Sequence, residues 1–178
     1  PFYHEQYVAV GKYGTGCLYD RIKKLIIKLG GKFLLNENVI NFESEDGKIK
    51  KISTNKKIYK IKDNEVVIST LPISITSRLL GKKNQLKFRG ICSVYLFYKK
   101  KQILPKNHHW LYFDSEKVLF NRVTENKKMS EFVAPKNKSY LTAEITYTQG
   151  DKFSKTDPKE IIRKVKEQIS LTGLIDDK

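Results

Sequence analysis

Hydrophobic positions near the start of the chain recur with helical spacing. Apolar residues three and four positions apart predict a helix with a buried stripe, formed by Leu18, Ile22, Leu25, Ile26 and Leu29. Gly30 and Gly31 follow, where helices commonly end in a left-handed residue. The pattern therefore predicts one amphipathic helix that opens after a glycine turn and stops at Gly30.

The pattern then changes to alternation, which predicts strands. Strand segments are expected at residues 32–35, 39–43, 48–53 and 56–61, with Asp46 and Gly47 forming a hairpin turn. Residues 65–70 are a nearly continuous apolar run, typical of a strand buried on both faces. Pro72 then begins a predicted helix that ends at Gly81.

The second half of the chain predicts an antiparallel sheet with a helix on one face. Residues 88–100 carry apolar side chains on both alternating faces, which predicts a central strand covered on both sides. Three further strands are expected at 110–113, 118–124 and 140–148. Asp157 and Pro158 open a helix whose inner stripe is Ile161, Val165 and Ile169 and which Gly173 ends. These elements predict an α+β fold.

The net charge of the chain bears on which classes of partner are expected. The formal net charge is +16, with 35 Lys and Arg among 178 residues. The basic runs are not interleaved with the aromatic residues that nucleic-acid binders use for stacking, so no nucleic-acid partner is expected. A solvated basic surface, an anionic small-molecule substrate and peripheral contact with an acidic membrane surface remain open.

Other classes of site find little support. Cys17 and Cys92 lie far apart, and His4, His108 and His109 lack zinc-ligand spacing, so no metal site is expected. No apolar run is long enough for a membrane span and the first residues lack a signal sequence, so a reduced, cytoplasmic chain is expected.

The first glycine turn has part of the pattern of a dinucleotide-binding site. Gly11, Gly14 and Gly16 precede the helix, and Glu37 follows about twenty residues later, where a ribose-binding acid is expected. The glycines, however, read G-x-x-G-x-G, whereas the pyrophosphate turn requires G-x-G-x-x-G. A loop that only caps a helix explains the spacing better.

Four blocks in order resemble the middle of the flavin-dependent amine oxidase and protoporphyrinogen oxidase superfamily. They are YGTGCL at 13–18, GGK at 30–32, NENVI at 36–40 with DGK at 46–48, and VVISTLP at 66–72, with a looser match in NRVTE at 121–125. Members of that superfamily are considerably longer and bind FAD mainly through other segments. The resemblance therefore implies an internal piece of a flavoprotein.

The resemblance implies roles for several residues. It assigns residues 1–82 to the FAD-binding domain and the mouth of the active site, and 83–178 to the substrate-binding domain. Backbone or turn contacts with FAD are implied for Val39, Ser69, Thr70 and Pro72. Tyr13 and Thr15, at the mouth of the first helix, are weaker candidates for contact with substrate.

Two positions in the second half bear on the reaction. Amine oxidases of the superfamily carry a lysine where this chain has Ser93, so a protoporphyrinogen oxidase-like, desaturase-like or mutase-like relative fits better. Asn121 and Arg122 also resemble the strand of UDP-galactopyranose mutases that presents an arginine to phosphates. The alternative for Arg122 is an ion pair with Glu125 or Glu144.

These observations predict the substrate-binding part of an FAD-dependent oxidoreductase, in which the flavin accepts a hydride from a small organic molecule. A redox-neutral mutase with the same cofactor is an alternative. A non-enzymatic basic module for anionic ligands or membrane surfaces is another. No catalytic residue can be named.

Overall fold

In a computed structural model, residue 12 and residues 14–175 are described. Within these residues the helices are α1 (Gly16–Lys28), α2 (Ile73–Leu79) and α3 (Pro158–Leu171). The strands are β1 (Val39–Glu45), β2 (Lys48–Thr54), β3 (Ile58–Lys60), β4 (Arg89–Tyr98), β5 (Trp110–Tyr112), β6 (Arg122–Glu125) and β7 (Ser139–Thr148). Short 3-10 turns lie at Asn126–Lys128, Glu131–Val133 and Phe153–Lys155. The predicted α+β fold is confirmed.

The chain forms two compact units. One comprises Ile26–Lys87, and the other comprises the described residues up to Leu25 together with those from Phe88 onward. We call them the hairpin unit and the sheet unit. The predicted assignment of 1–82 and 83–178 to FAD and substrate domains stays a prediction.

The hairpin unit contains an antiparallel sheet in the order β1-β2-β3. Asp46 and Gly47 link β1 to β2 with φ angles of 48° and 75°, as a two-residue hairpin turn requires. The predicted end of α1 is also confirmed: Gly30 has a φ of 86°, and the Gly31 amide donates to the Ile26 carbonyl oxygen at 2.8 Å.

The sheet unit contains an antiparallel sheet in the order β4-β7-β6-β5. One face of this sheet packs against α3, which buries its predicted stripe of Ile161, Val165 and Ile169. The Asp157 carboxylate caps α3 by accepting a hydrogen bond from the Lys159 amide at 2.8 Å. The core of the protein therefore lies between this sheet and α3.

The prediction that the apolar stripe of α1 is buried is wrong. Its five residues are between 38% and 78% exposed, and α1 has no buried residue. An amphipathic stripe is buried only where another element packs on it, and the described part of the chain leaves this face open.

Two predicted strands of the hairpin unit are absent. Residues 32–35 and 65–70 have no strand conformation, and Val66 and Ile68 are 85% and 83% exposed. A strand buried on both faces needs neighbours that hydrogen bond to its edges and elements that cover it. No described strand pairs with residues 65–70, and only Val67 of their three apolar side chains is half-buried.

Strand β4 also differs from the prediction. It is an edge strand of its sheet and is covered on one face only. Val94 and Leu96 are 6% and 4% exposed, whereas Ile91 and Phe97 are 61% and 77% exposed. The reason is that α3 covers a single face of the sheet. The strands predicted at 56–61 and 118–124 are shorter, at Ile58–Lys60 and Arg122–Glu125.

Candidate functional site

The face of the four-stranded sheet opposite α3 carries polar and aromatic side chains in cross-strand rows. Strand register places Ser93 of β4 and Arg122 of β6 on either side of Glu144 of β7, and Tyr112 of β5 beside Arg122. The next row on the same face is formed by Tyr95, Thr142, Thr124 and Trp110. Side chains alternate between the two faces of a strand, so the intervening residues point into the core.

Arg122 is held by Glu144. Its Nε donates to Glu144 Oε2 at 2.8 Å, and its Nη2 lies 2.6 Å from the same oxygen. The guanidinium carbon also lies 5.9 Å from the centre of the Tyr112 ring. A hydrogen bond with Tyr112 and the bond to Glu144 raise the pKa of Arg122 further, so it stays charged. The ion-pair alternative from the sequence is thus the arrangement observed, with Glu144 as partner.

These rows line a groove of about 330 Å³ within the sheet unit. Its lining residues are Ser93, Tyr95, Trp110, Arg122, Thr124, Asn126, Met129, Tyr140, Thr142 and Glu144. The Asn126 side-chain amide donates to Thr142 Oγ1 at 2.7 Å, which fixes the end of the groove beyond β6. The rings of Tyr95 and Tyr140 lie 6.1 Å apart and form an aromatic side.

Glu125, the other possible partner of Arg122, points to the opposite face and is fully buried. Its carboxylate accepts hydrogen bonds from the amides of Ile103 and Leu104, at 3.0 and 2.8 Å, and from Ser139 Oγ at 2.5 Å. Lys128 Nζ lies 3.9 Å away. Glu125 therefore holds a loop and a strand against the end of β6 and supports the groove from behind.

The groove is suited to binding. Arg122 and Glu144 are its charged side chains, and three aliphatic hydroxyls, one amide, one thioether, two phenols and one indole complete the lining. Flat apolar surfaces beside hydrogen-bonding groups are the usual composition of a small-molecule site. Ser93 offers a hydroxyl, and the row gives it Glu144 as neighbour.

The other predicted substrate residues are not brought into this groove. Tyr13 lies outside the described residues. Thr15 is exposed at the start of α1, where its carbonyl accepts from the Leu18 amide at 3.1 Å. Asn121 is exposed, and its amide donates to the Glu144 carbonyl at 3.0 Å. Their predicted contact with substrate stays a prediction.

The predicted FAD residues all lie in the hairpin unit. Val39 begins β1, half-buried and paired with Thr54. Ser69, Thr70 and Pro72 are exposed in the turn before α2, and Ser69 Oγ lies 3.0 Å from Thr76 Oγ1. Ser69 and Thr70 thus place two exposed hydroxyls before α2. Their contact with FAD stays a prediction.

Sequence reasoning missed several groove residues. Trp110, Tyr140 and Thr142 were not singled out, and Glu144 was named only as a possible partner of Arg122. The signal was present in β7, where every second residue from Tyr140 is polar or aromatic while Leu141, Ala143 and Ile145 are buried. Among the described residues, no cluster of His, Cys, Asp and Glu could hold a metal ion. The described helices also include none long and apolar enough to span a membrane.

The fold is similar to parts of two solved structures. A UDP-galactopyranose mutase in its reduced form matches with a TM-score of 0.74 and 18% identity, over 93% of this chain and 37% of that one. A putative protoporphyrinogen oxidase from Exiguobacterium sp. 255-15 matches with a TM-score of 0.65 and 17% identity, over 92% of this chain and 35% of that one. No protein-family model and no curated protein matches. The resemblance inferred from sequence is thus confirmed for the fold, and the chain spans about a third of the length of these structures.

Proposed function

We propose that this chain is the substrate-binding portion of an FAD-dependent oxidoreductase, related to protoporphyrinogen oxidases or desaturases. In this proposal the flavin accepts a hydride from a small organic substrate bound on the open face of the four-stranded sheet. The protein supplies position and electrostatics, and the cofactor supplies the redox chemistry.

The observation that carries the proposal is the composition of that open face. A sheet with one face packed on α3 needs only polar, solvated residues on the other. Here the second face has Trp110, Tyr95 and Tyr140 beside hydroxyls and the pair of Arg122 and Glu144. Large aromatic residues grouped with a few convergent polar groups are typical of a binding site.

Exposed apolar surfaces of the hairpin unit support an incomplete flavin site. Val66 and Ile68 are more than four-fifths exposed, and they directly precede the Ser69–Pro72 turn. Exposed apolar residues of this kind usually mark a surface that another element covers. Most contacts with FAD would then come from segments outside these 178 residues, and the chain alone would be inactive.

A redox-neutral mutase is the second candidate, and Arg122 favours it. Its guanidinium lines the groove, and a guanidinium binds a phosphate group in bidentate geometry, through two parallel hydrogen bonds. The similarity in fold to a UDP-galactopyranose mutase supports the same direction. In this candidate Glu144 would have to release Arg122 when the sugar nucleotide binds.

The test is the visible absorption spectrum. We would compare the longest natural polypeptide containing these residues with the 178-residue chain, each purified from cells and again after incubation with FAD. We expect a flavin spectrum in the longer protein and none in the chain alone. Absence of flavin from both would sink the flavoenzyme proposal and favour a non-enzymatic basic module that binds anionic ligands or membrane surfaces. A cytoplasmic location also stays a prediction.

A further inference from the structure

The groove carries no net charge although the chain is strongly basic. The formal charge of the protein is +16, yet the charged residues that line the groove are one arginine and one glutamate. Arg122 and Glu144 neutralise each other through contacts of 2.8 and 2.6 Å. The pair therefore adds no net attraction for anions at this point to that of the basic surface around it.

Glu144 occupies the Nε and Nη2 edge of the Arg122 guanidinium, one of the two edges at which an anion binds to arginine through two hydrogen bonds. Both contacts of Arg122 converge on Oε2 of Glu144, and the row continues on the far side of Glu144 to Ser93. A phosphate or carboxylate that approached Arg122 from the groove would come close to the Glu144 carboxylate. Like charges at such distances repel, and the side chain of Glu144 is only 20% exposed, which weakens screening by water.

Strand pairing holds the backbone of Glu144 in place. It lies within β7, between β4 and β6, where it is paired with Ser93 on one side and Arg122 on the other. Its carbonyl also accepts a hydrogen bond from the Asn121 amide at 3.0 Å. Releasing Arg122 therefore requires rotation of the Glu144 side chain alone, with loss of a charged hydrogen bond in a half-buried site.

We infer that Glu144 is a specificity-determining residue, which neutralises Arg122 and makes the groove select substrates that carry no anionic group at this position. The remaining lining agrees with an uncharged ligand that bears hydroxyl or carbonyl groups. Ser93, Thr124 and Thr142 offer hydroxyls, and the aromatic rings offer flat surfaces. This inference rests on the proposed function, since it takes the groove to be the substrate site.

The single tryptophan of the chain, Trp110, lines the groove, so its fluorescence reports on binding there. The probe is inorganic pyrophosphate, titrated into the wild-type chain and into four variants: Glu144→Gln, Glu160→Gln, Arg122→Gln and the double variant Glu144→Gln/Arg122→Gln. Glu160 pairs with Lys164 on the exposed side of α3, and Glu160→Gln makes the same change in net charge away from the groove. Calorimetric titration of the same samples gives a second measure of affinity.

We expect Glu144→Gln to bind pyrophosphate at least about tenfold more tightly than the wild type, which is the size of one charged hydrogen bond made available. Glu160→Gln should behave like the wild type, and the double variant should lose the gain. Unchanged affinity in Glu144→Gln would overturn the inference. So would pyrophosphate binding by the wild type that Arg122→Gln abolishes, a result that favours the mutase.

Folding is checked by the thermal melting of each variant. Glu144→Ser, which also removes the carboxylate, replaces Glu144→Gln if the latter melts early, and the same gain in affinity is expected. The titration involves no flavin, so its outcome is separate from the absorption test of the flavoenzyme proposal. Anion selectivity and cofactor binding can therefore fail independently.

Discussion

The two units use similar hydrophobic patterns with opposite results. In the sheet unit, eleven apolar residues form a buried core between the four-stranded sheet and α3. In the hairpin unit, Phe42 is the one buried hydrophobic residue among those described. Leu29, Val66 and Ile68 of the same unit are between 78% and 85% exposed.

This difference shows that hydrophobic periodicity indicates the apolar face of an element and not its burial. Spacing identifies which face of an element is apolar, because it follows from the geometry of helices and strands. It does not identify whether a partner covers that face. The hairpin unit has the apolar faces of a core and lacks, among the described residues, the elements that would complete it.

The largest expected effect is the difference in stability loss between a substitution in the core of the sheet unit and one at an exposed apolar residue of the hairpin unit. Phe120 is 1% exposed and packs edge to face on Phe113, with ring centres 5.0 Å apart. Phe120→Ala should lower the free energy of unfolding by about 3–5 kcal/mol, because it removes buried contacts and leaves a cavity. Val66→Ala, at an exposed apolar position, should change it by less than about 0.5 kcal/mol. Urea unfolding followed by circular dichroism measures both.

Comparing Val66→Ala with Phe120→Ala tests whether the two units differ in packing. If Val66→Ala destabilised the chain as strongly as Phe120→Ala, residues 65–70 would be packed in solution and the contrast between the units would be wrong. Val66→Ala that destabilised only a longer polypeptide containing this chain would instead support burial of residues 65–70 by another segment.

A second effect tests the polar support behind the groove. Glu125→Ala should cost about 2–4 kcal/mol in the free energy of unfolding, since the buried amides of Ile103 and Leu104 would lose their acceptor. Glu116→Ala, at an exposed acidic residue, is the control and should change little. Equal stability of the two variants in urea would contradict the structural role of Glu125.

A feature of the fold could be predicted from the sequence when it depends on neighbouring residues, and not when it depends on residues distant in the sequence. The residues that share the apolar face of α3 and the Asp46-Gly47 turn were predicted correctly, because neighbouring residues determine them. The coverage of β4 and of residues 65–70 was predicted wrongly, because it depends on elements distant in the sequence or outside it. Local patterns thus predicted the elements and not their neighbours.

The candidate site shows the same limit. Ser93 and Arg122 could be singled out from the sequence, but nothing local indicates that they flank Glu144. That arrangement follows from the order β4-β7-β6-β5, which brings together three residues that are each more than twenty positions apart in the sequence. Trp110 joins them through the pairing of β5 with β6, which the sequence did not indicate although it predicted a strand at 110–113.

A smaller expected effect concerns the N-terminal cap of α3, the helix that covers the core of the sheet unit. Asp157→Ala should lower the free energy of unfolding by about 1 kcal/mol, because the Lys159 amide loses its acceptor. Asp157→Asn keeps an accepting oxygen and should cost distinctly less. Urea unfolding of both variants checks the cap, and equal losses would show that the charge of Asp157 matters more than its hydrogen bond.

The smallest expected effect concerns a polar contact of the hairpin unit, at Glu37. Thr54 Oγ1 and Tyr59 OH each donate to Glu37 Oε1 at 2.7 Å. These bonds lower the pKa of Glu37, so its contribution to stability is present above the ordinary carboxyl value and is lost as pH falls through the lowered pKa. Burial and the bond to Glu37 raise the pKa of Tyr59 to about 12, so the stability gained from the neutral phenol is lost as pH rises through that value.

Glu37→Gln should move the titration of Tyr59 part of the way back toward the ordinary tyrosine pKa, because burial, the larger cause, remains. Phenolate absorbance as a function of pH measures the shift, and subtraction of the Tyr59→Phe titration isolates this residue from the other tyrosines. An unchanged Tyr59 titration in Glu37→Gln would mean that the hydrogen bond is not maintained in solution. The hairpin unit would then lack even this polar anchor, and the contrast with the well-packed sheet unit would be greater than the structure indicates.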